Sequence, residues 1–151
     1  MASNLPGESI KTFALGSCVA VVVYDPVSQT AGMVHVVLPD SRINKARAEA
    51  LPGYFADTGI HALMSDMSRL VGHLDPKMLI VKLAGGANIL RAQKAFNIGQ
   101  RNIAAVRTEL ARRGVMPVAH DVGGYVSRNM TIDVENGKVE CSSPGRGAWK
   151  L

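Results

Sequence analysis

Three residues near the start of the chain are of types that could share one catalytic task. Thr12 precedes the run Leu15-Gly16-Ser17-Cys18-Val19-Ala20-Val21, and His35 sits in Gly32-Met33-Val34-His35-Val36-Val37-Leu38-Pro39. A thiol is a strong nucleophile only as its thiolate, and a nearby imidazole is the usual way to generate one at neutral pH. Gly16-Ser17 places Cys18 beside a tight turn at the edge of an apolar strand. Small residues there let the backbone approach a substrate, and the amides of Ser17 and Cys18 could converge on an oxyanion. The hydroxyl or carbonyl of Thr12 could orient the ring, as a third group does in Cys-His catalysis. Each residue alone also has an ordinary explanation. Free cysteine is among the most buried residue types, threonine is common in strands, and a strand histidine is often a satisfied core group. Together they point to a cysteine hydrolase with a thiolate–imidazolium pair.

Positioning such groups falls to the surrounding elements. The Val-rich stretches 13–24 and 31–38 predict two strands, and Asp25-Pro26-Val27-Ser28-Gln29-Thr30 carries turn chemistry, so a hairpin brings His35 back towards Cys18. Residues 1–10 read as a loose N-terminal segment. A short helix fits near 44–50. The clearest helix is 54–72, with Ile60, Leu63, Met64, Met67 and Val71 on one face and Gly72 as its stop. A strand over 77–83 ends at Gly85-Gly86. A second helix fits 99–113, with Ile103, Val106 and Leu110 inward and Asn97 or Gly99 as its cap. Strands follow at 115–120, 126–134 and 138–142, the last two joined at Asn136-Gly137 by a type I′ turn. Hairpins mixed with two main helices predict an α+β fold, a layered sandwich of mostly antiparallel sheet, in one domain spanning 1–151.

Composition narrows the function classes. With 151 residues, 47% of them apolar, the chain can bury a core. No apolar run reaches the roughly 18 residues of a membrane helix. No secretory leader is recognisable, so a cytoplasmic location with Cys18 and Cys141 as free thiols is expected. His61, His73 and His120 make no metal pattern, and neither Gly85-Gly86 nor Gly123-Gly124 ends in the Lys-Ser/Thr of a phosphate loop. Neither a metal nor a cofactor is expected. Charge is uneven: residues 76–151 hold twelve Lys/Arg against five Asp/Glu, while residues 1–75 hold five against seven. A basic half suits an acidic partner. Nucleic acid could use Arg101, Arg107, Arg112 and Arg113, but with 5% aromatic residues there are few stacking platforms.

Taken together, these segments resemble the chemoreceptor glutamine deamidase family, CheD. The resemblance rests on Thr12 with Leu15-Gly16-Ser17-Cys18-Val19-Ala20-Val21, and on Gly32-Met33-Val34-His35-Val36-Val37-Leu38-Pro39. It continues through Tyr54-Phe55-Ala56-Asp57, Lys82 with Gly85-Gly86-Ala87, Ile98-Gly99 with Arg101-Asn102, and Asp121-Val122-Gly123-Gly124 with Arg128. It implies a Cys18-His35-Thr12 triad and a fold similar to that of toxin-type cysteine deamidases. It also implies chemoreceptor cytoplasmic helices as protein substrate and a CheC-type phosphatase as a possible partner. The alternative is a non-catalytic binding module for that phosphatase or for a receptor. Three features depart from the family pattern: a short segment before Thr12, Ser127 in place of a glycine, and the tail 145–151. The first suggests a less complete sheet edge.

Overall fold

The computed structural model describes residues 1–89 and 97–151. Among these residues nine strands form two sheets: β1 (Ala2–Ser3), β2 (Ser9–Leu15), β3 (Val19–Asp25), β4 (Thr30–Val36), β5 (Ile80–Gly85), β6 (Pro117–Val122), β7 (Arg128–Asp133), β8 (Val139–Ser143) and β9 (Gly147–Lys150). The α-helices among the described residues are α1 (Lys45–Ala50), α2 (Ala56–Val71) and α3 (Ile98–Ala111). The first sheet has the order β1-β4-β3-β5-β6, antiparallel except for β5 beside β6; the second, β2-β7-β8-β9, is antiparallel throughout. This is the expected α+β sandwich of mostly antiparallel sheet.

Strand side chains alternate between faces, and the two cores follow from that alternation. Val19, Val21 and Val23 of β3, with Val34 and Val36 of β4, face α2 and α3 through Ile60, Leu63, Met67, Ile103, Val106 and Leu110. Ala20, Val22 and Tyr24, with Ala31 and Met33, face the second sheet through Ile10, Leu15, Met130, Ile132 and Cys141. The first sheet is therefore covered on both faces, helices on one and strands on the other. All seven residues of β3 are buried, as a central strand requires.

Three expectations need correcting. The apolar stretch 13–24 is not one strand. It belongs to two sheets, because the chain leaves β2 at Leu15 and enters β3 at Val19. The first ten residues are not loose throughout. Ala2 and Ser3 pair with Gly32 and Ala31, covering the open edge of β4, and Ser9 and Ile10 pair with β7. The β7–β8 connection is wider than a two-residue type I′ turn. Asp133 and Lys138 close it, and Gly137 has φ 66 while Asn136 has no positive φ. A Cβ on Gly137 would lie 2.4 Å from the Tyr24 ring, whose hydroxyl donates to the Glu135 carbonyl.

Leu63 is buried between α2 and the first sheet. Leu63→Ala should lower unfolding stability by about 2–5 kcal/mol, read as a shifted urea midpoint with an unchanged slope.

Candidate active site

The site forms where the chain changes sheets. Thr12 is the last regularly paired residue of β2, opposite Met130, and the register slips before Leu15 meets Arg128. Within that bulge Ala14 adopts φ 55, a left-handed conformation costing roughly 1–2 kcal/mol in a residue with a Cβ. Its amide donates to Asn129 Oδ1 at 3.0 Å, and Gly16 N donates back to its carbonyl at 2.8 Å. The bulge turns the backbone out of the second sheet and delivers Cys18 to the start of β3.

Hairpin register sets the next relation. His35 lies directly opposite Ala20 on the face turned towards the second sheet. Cys18, two residues before Ala20, shares that face and is a diagonal neighbour of His35, a separation that side chains can span. Thr12 comes from the other sheet, and its Oγ1 shares a 2.7 Å hydrogen bond with His35 Nδ1. One ring nitrogen is thereby committed to Thr12, and Nε2 is left for other work.

The Cys18 turn is held by its carbonyls. Gly86 N donates to Cys18 O and Ala87 N to Gly16 O, both at 2.7 Å. Asn102 Nδ2 donates to Ser17 O at 2.9 Å and to Val37 O at 2.8 Å. Gly85 has φ 108, and a Cβ there would stand 2.2 Å from Cys18 O, so only glycine permits this approach. A third loop joins in, as Gly123 N donates to Gly85 O and Asn88 N to Gly124 O. Buried Arg128 secures that loop through Asp121, Gly123 O and Val126 O. On the other side of His35, Val37 and Leu38 donate to Tyr54 O, and Asp57 accepts from the amide and hydroxyl of Ser41. The Tyr54-Phe55-Ala56-Asp57 segment therefore anchors the exit of the histidine strand.

Thus the structure brings Thr12 onto His35, and places Cys18, Gly16 and Ser17 in one anchored turn next to them. Cys18 and Cys141 are both free thiols. Burial pushes the Cys18 thiol above its ordinary value, with its own amide pulling the other way, and lowers His35 below its ordinary value. Both directions disfavour the charged form of each group taken singly. Burial also pushes Cys141 up, to about 11. Among the four arginines considered for nucleic acid, Arg112 and Arg113 are paired with Glu109. No cluster of metal-ligating side chains occurs among the described residues, and no described helix is long and apolar enough to cross a membrane. The role of Asn102 was not recognised from sequence. Its signal is a polar residue inside the buried stripe Gly99, Ile103, Val106 and Leu110.

Residues 37–143 match the family described as CheD chemotactic sensory transduction. A protein of Syntrophotalea carbinolica named as a probable chemoreceptor glutamine deamidase CheD is 49% identical over 149 residues, covering 99% of this chain and 92% of its own. One of the same name from Symbiobacterium thermophilum is 42% identical, covering 99% of this chain and 90% of its own. The chemoreceptor glutamine deamidase CheD of Thermotoga maritima is 37% identical, covering 91% and 83%.

Burying a neutral imidazole has a consequence for stability. The folded chain resists a proton that the unfolded chain accepts, so stability is full above the ordinary 6.5 of His35 and is lost as pH falls through it. His35→Gln should flatten the decline in urea midpoint between about pH 6.5 and about pH 5 relative to the parent. An equally steep decline in both would show that the ring is not buried neutral.

Proposed function

The chain belongs to the CheD family, and on that premise we propose that it hydrolyses glutamine side-chain amides of chemoreceptor cytoplasmic helices to glutamate. The observation that carries this reading is the Thr12–His35 hydrogen bond of 2.7 Å, with Cys18 diagonal to His35 on the same sheet face. Relatives named as chemoreceptor glutamine deamidases support the substrate.

The chemistry follows from the ring. With its Nδ1–H donating to Thr12 Oγ1, His35 presents Nε2 as a base. Nε2 takes the thiol proton as the Cys18 sulfur bonds to the carboxamide carbon. The amides of Ser17 and Cys18 hold the oxyanion. Collapse breaks the C–N bond, and the imidazolium returns its proton to the departing ammonia. A water then loses a proton to Nε2 and adds to the thioester carbon. Collapse of that second intermediate releases glutamate and restores the thiol. A neutral starting pair suits a buried site, because charge appears only when the substrate has replaced water. Thr12 accepts from the imidazolium in each half-reaction, which keeps the ring oriented while it carries charge. A glutamate methyl ester would give the same acyl intermediate, with methanol leaving in place of ammonia.

The reading places the protein in the cytoplasm, where those receptor helices lie. The basic C-terminal half suits acid-rich helices. A CheC-type phosphatase is a partner compatible with the family premise.

Incubation with a receptor cytoplasmic fragment should release ammonia and raise each converted peptide by about one mass unit. Cys18→Ala should abolish both signals. Thr12→Ala should lower kcat by about tenfold to a hundredfold, since misplacing a catalytic ring is costly even when the chemistry is intact. Normal activity in Cys18→Ala would refute the mechanism.

A further inference from the structure

We propose that Asn102 is a positioning residue that aligns the nucleophile turn with the histidine strand; this rests on the thiol–imidazole chemistry proposed above. The β3–β4 ladder ends at the pair Val19 and Val36. Ser17 and Val37 lie just past that last pair, where no ladder hydrogen bond joins the strands. The carboxamide of Asn102 supplies the missing link, with Nδ2 donating to Ser17 O and to Val37 O. Cys18 follows Ser17, and His35 is two residues before Val37. One amide group therefore spans the two chain segments that carry the reacting side chains.

Asn102 is completely buried on α3, whose first turn lies against the Gly85-Gly86 bend. Both of its partners are carbonyl oxygens, which accept only, so the donor facing them must be the NH2 group. Its Oδ1 is buried and has no partner among the described residues. Burying an unpaired acceptor is unfavourable, and an apolar residue at 102 would avoid that cost. It would also lose both donated bonds. The arrangement sacrifices one hydrogen-bonding group in order to clamp two strands at the site. The thiol-bearing turn is already fixed to the β5 loop by Gly86 and Ala87. What Asn102 adds is a fixed relation between that turn and the end of β4.

Asn102→Ala and Asn102→Ser are compared with the parent, each in the natural and the His35→Ala background. The readouts are kcat and KM for ammonia release from a receptor fragment, and the pH profile of Cys18 alkylation by iodoacetamide. Asn102→Ala should lower kcat by about tenfold to a hundredfold with KM little changed. It should also slow alkylation near pH 7, where Nε2 takes the thiol proton as the sulfur displaces iodide from the reagent, and serine, keeping one donor, should fall between. In the His35→Ala background the alanine change should leave alkylation unaffected, because no imidazole remains to be aligned. An equal loss in both backgrounds would overturn the proposal, as would no loss in either. Failure of both variants to fold would do so too, since Asn102 would then serve the fold alone. Should Cys18→Ala and His35→Ala themselves retain activity, the proposed function fails instead.

Discussion

The hydrogen bond between Thr12 and His35 depends on a single backbone event, the transfer of the chain from one sheet to the other between Thr12 and Val19. If residues 9–25 formed one continuous strand, Thr12 and His35 would belong to the same sheet, and nothing would reach the imidazole from across the core. The bulge and the left-handed Ala14 break that continuity. The strain at Ala14 is offset locally by Asn129 and by Gly16, so the turn is held from both sides. Strain of this kind persists only where the surroundings over-determine it.

Around this crossing the protein fixes backbone first and lets side chains follow. The carbonyls of Gly16, Ser17 and Cys18 are each bound by a different donor: Ala87, Asn102 and Gly86. Those donors come from the end of β5 and the first turns of α3, elements held by the apolar contacts of β3 and β5 with both helices. The energy for a rigid site thus comes from the core, in which Leu83, Ile103 and Val106 are buried. Burial then sets the electrostatics. It opposes charge on both Cys18 and His35.

Much of the fold was legible because its signals are local. The spacing of Ile60, Leu63 and Met67 marks α2 regardless of context, and the Asp25–Thr30 turn marks the β3–β4 hairpin. What was not legible depends on distant partners. Residues 13–24 are uniformly rich in apolar side chains, and an alanine at a left-handed position carries no composition signal, so the change of sheet was hidden. The strands β1 and β9 are short edge pieces whose place is set by the neighbour they cover. The tail 145–151 supplies β9. At the site, adjacency of the Cys18 and His35 strands followed from the hairpin alone. Thr12 was a candidate to orient the ring by residue type, but the contact itself requires the second sheet, whose pairing is not a local signal. Asn102 was hidden by its own helix, where a polar residue in a mainly apolar stripe does not reveal what it binds.

The central claim is that Thr12 holds a neutral His35 by Nδ1 and leaves Nε2 to receive the Cys18 proton. Nitrogen-15 NMR of the His35 ring at pH 7 tests this most directly, since the two nitrogens and their attached protons give separate signals. A neutral ring with its proton on Nδ1, and loss of that preference in Thr12→Ala, is the result this account requires. A ring protonated on Nε2, or already an imidazolium at pH 7, would contradict it.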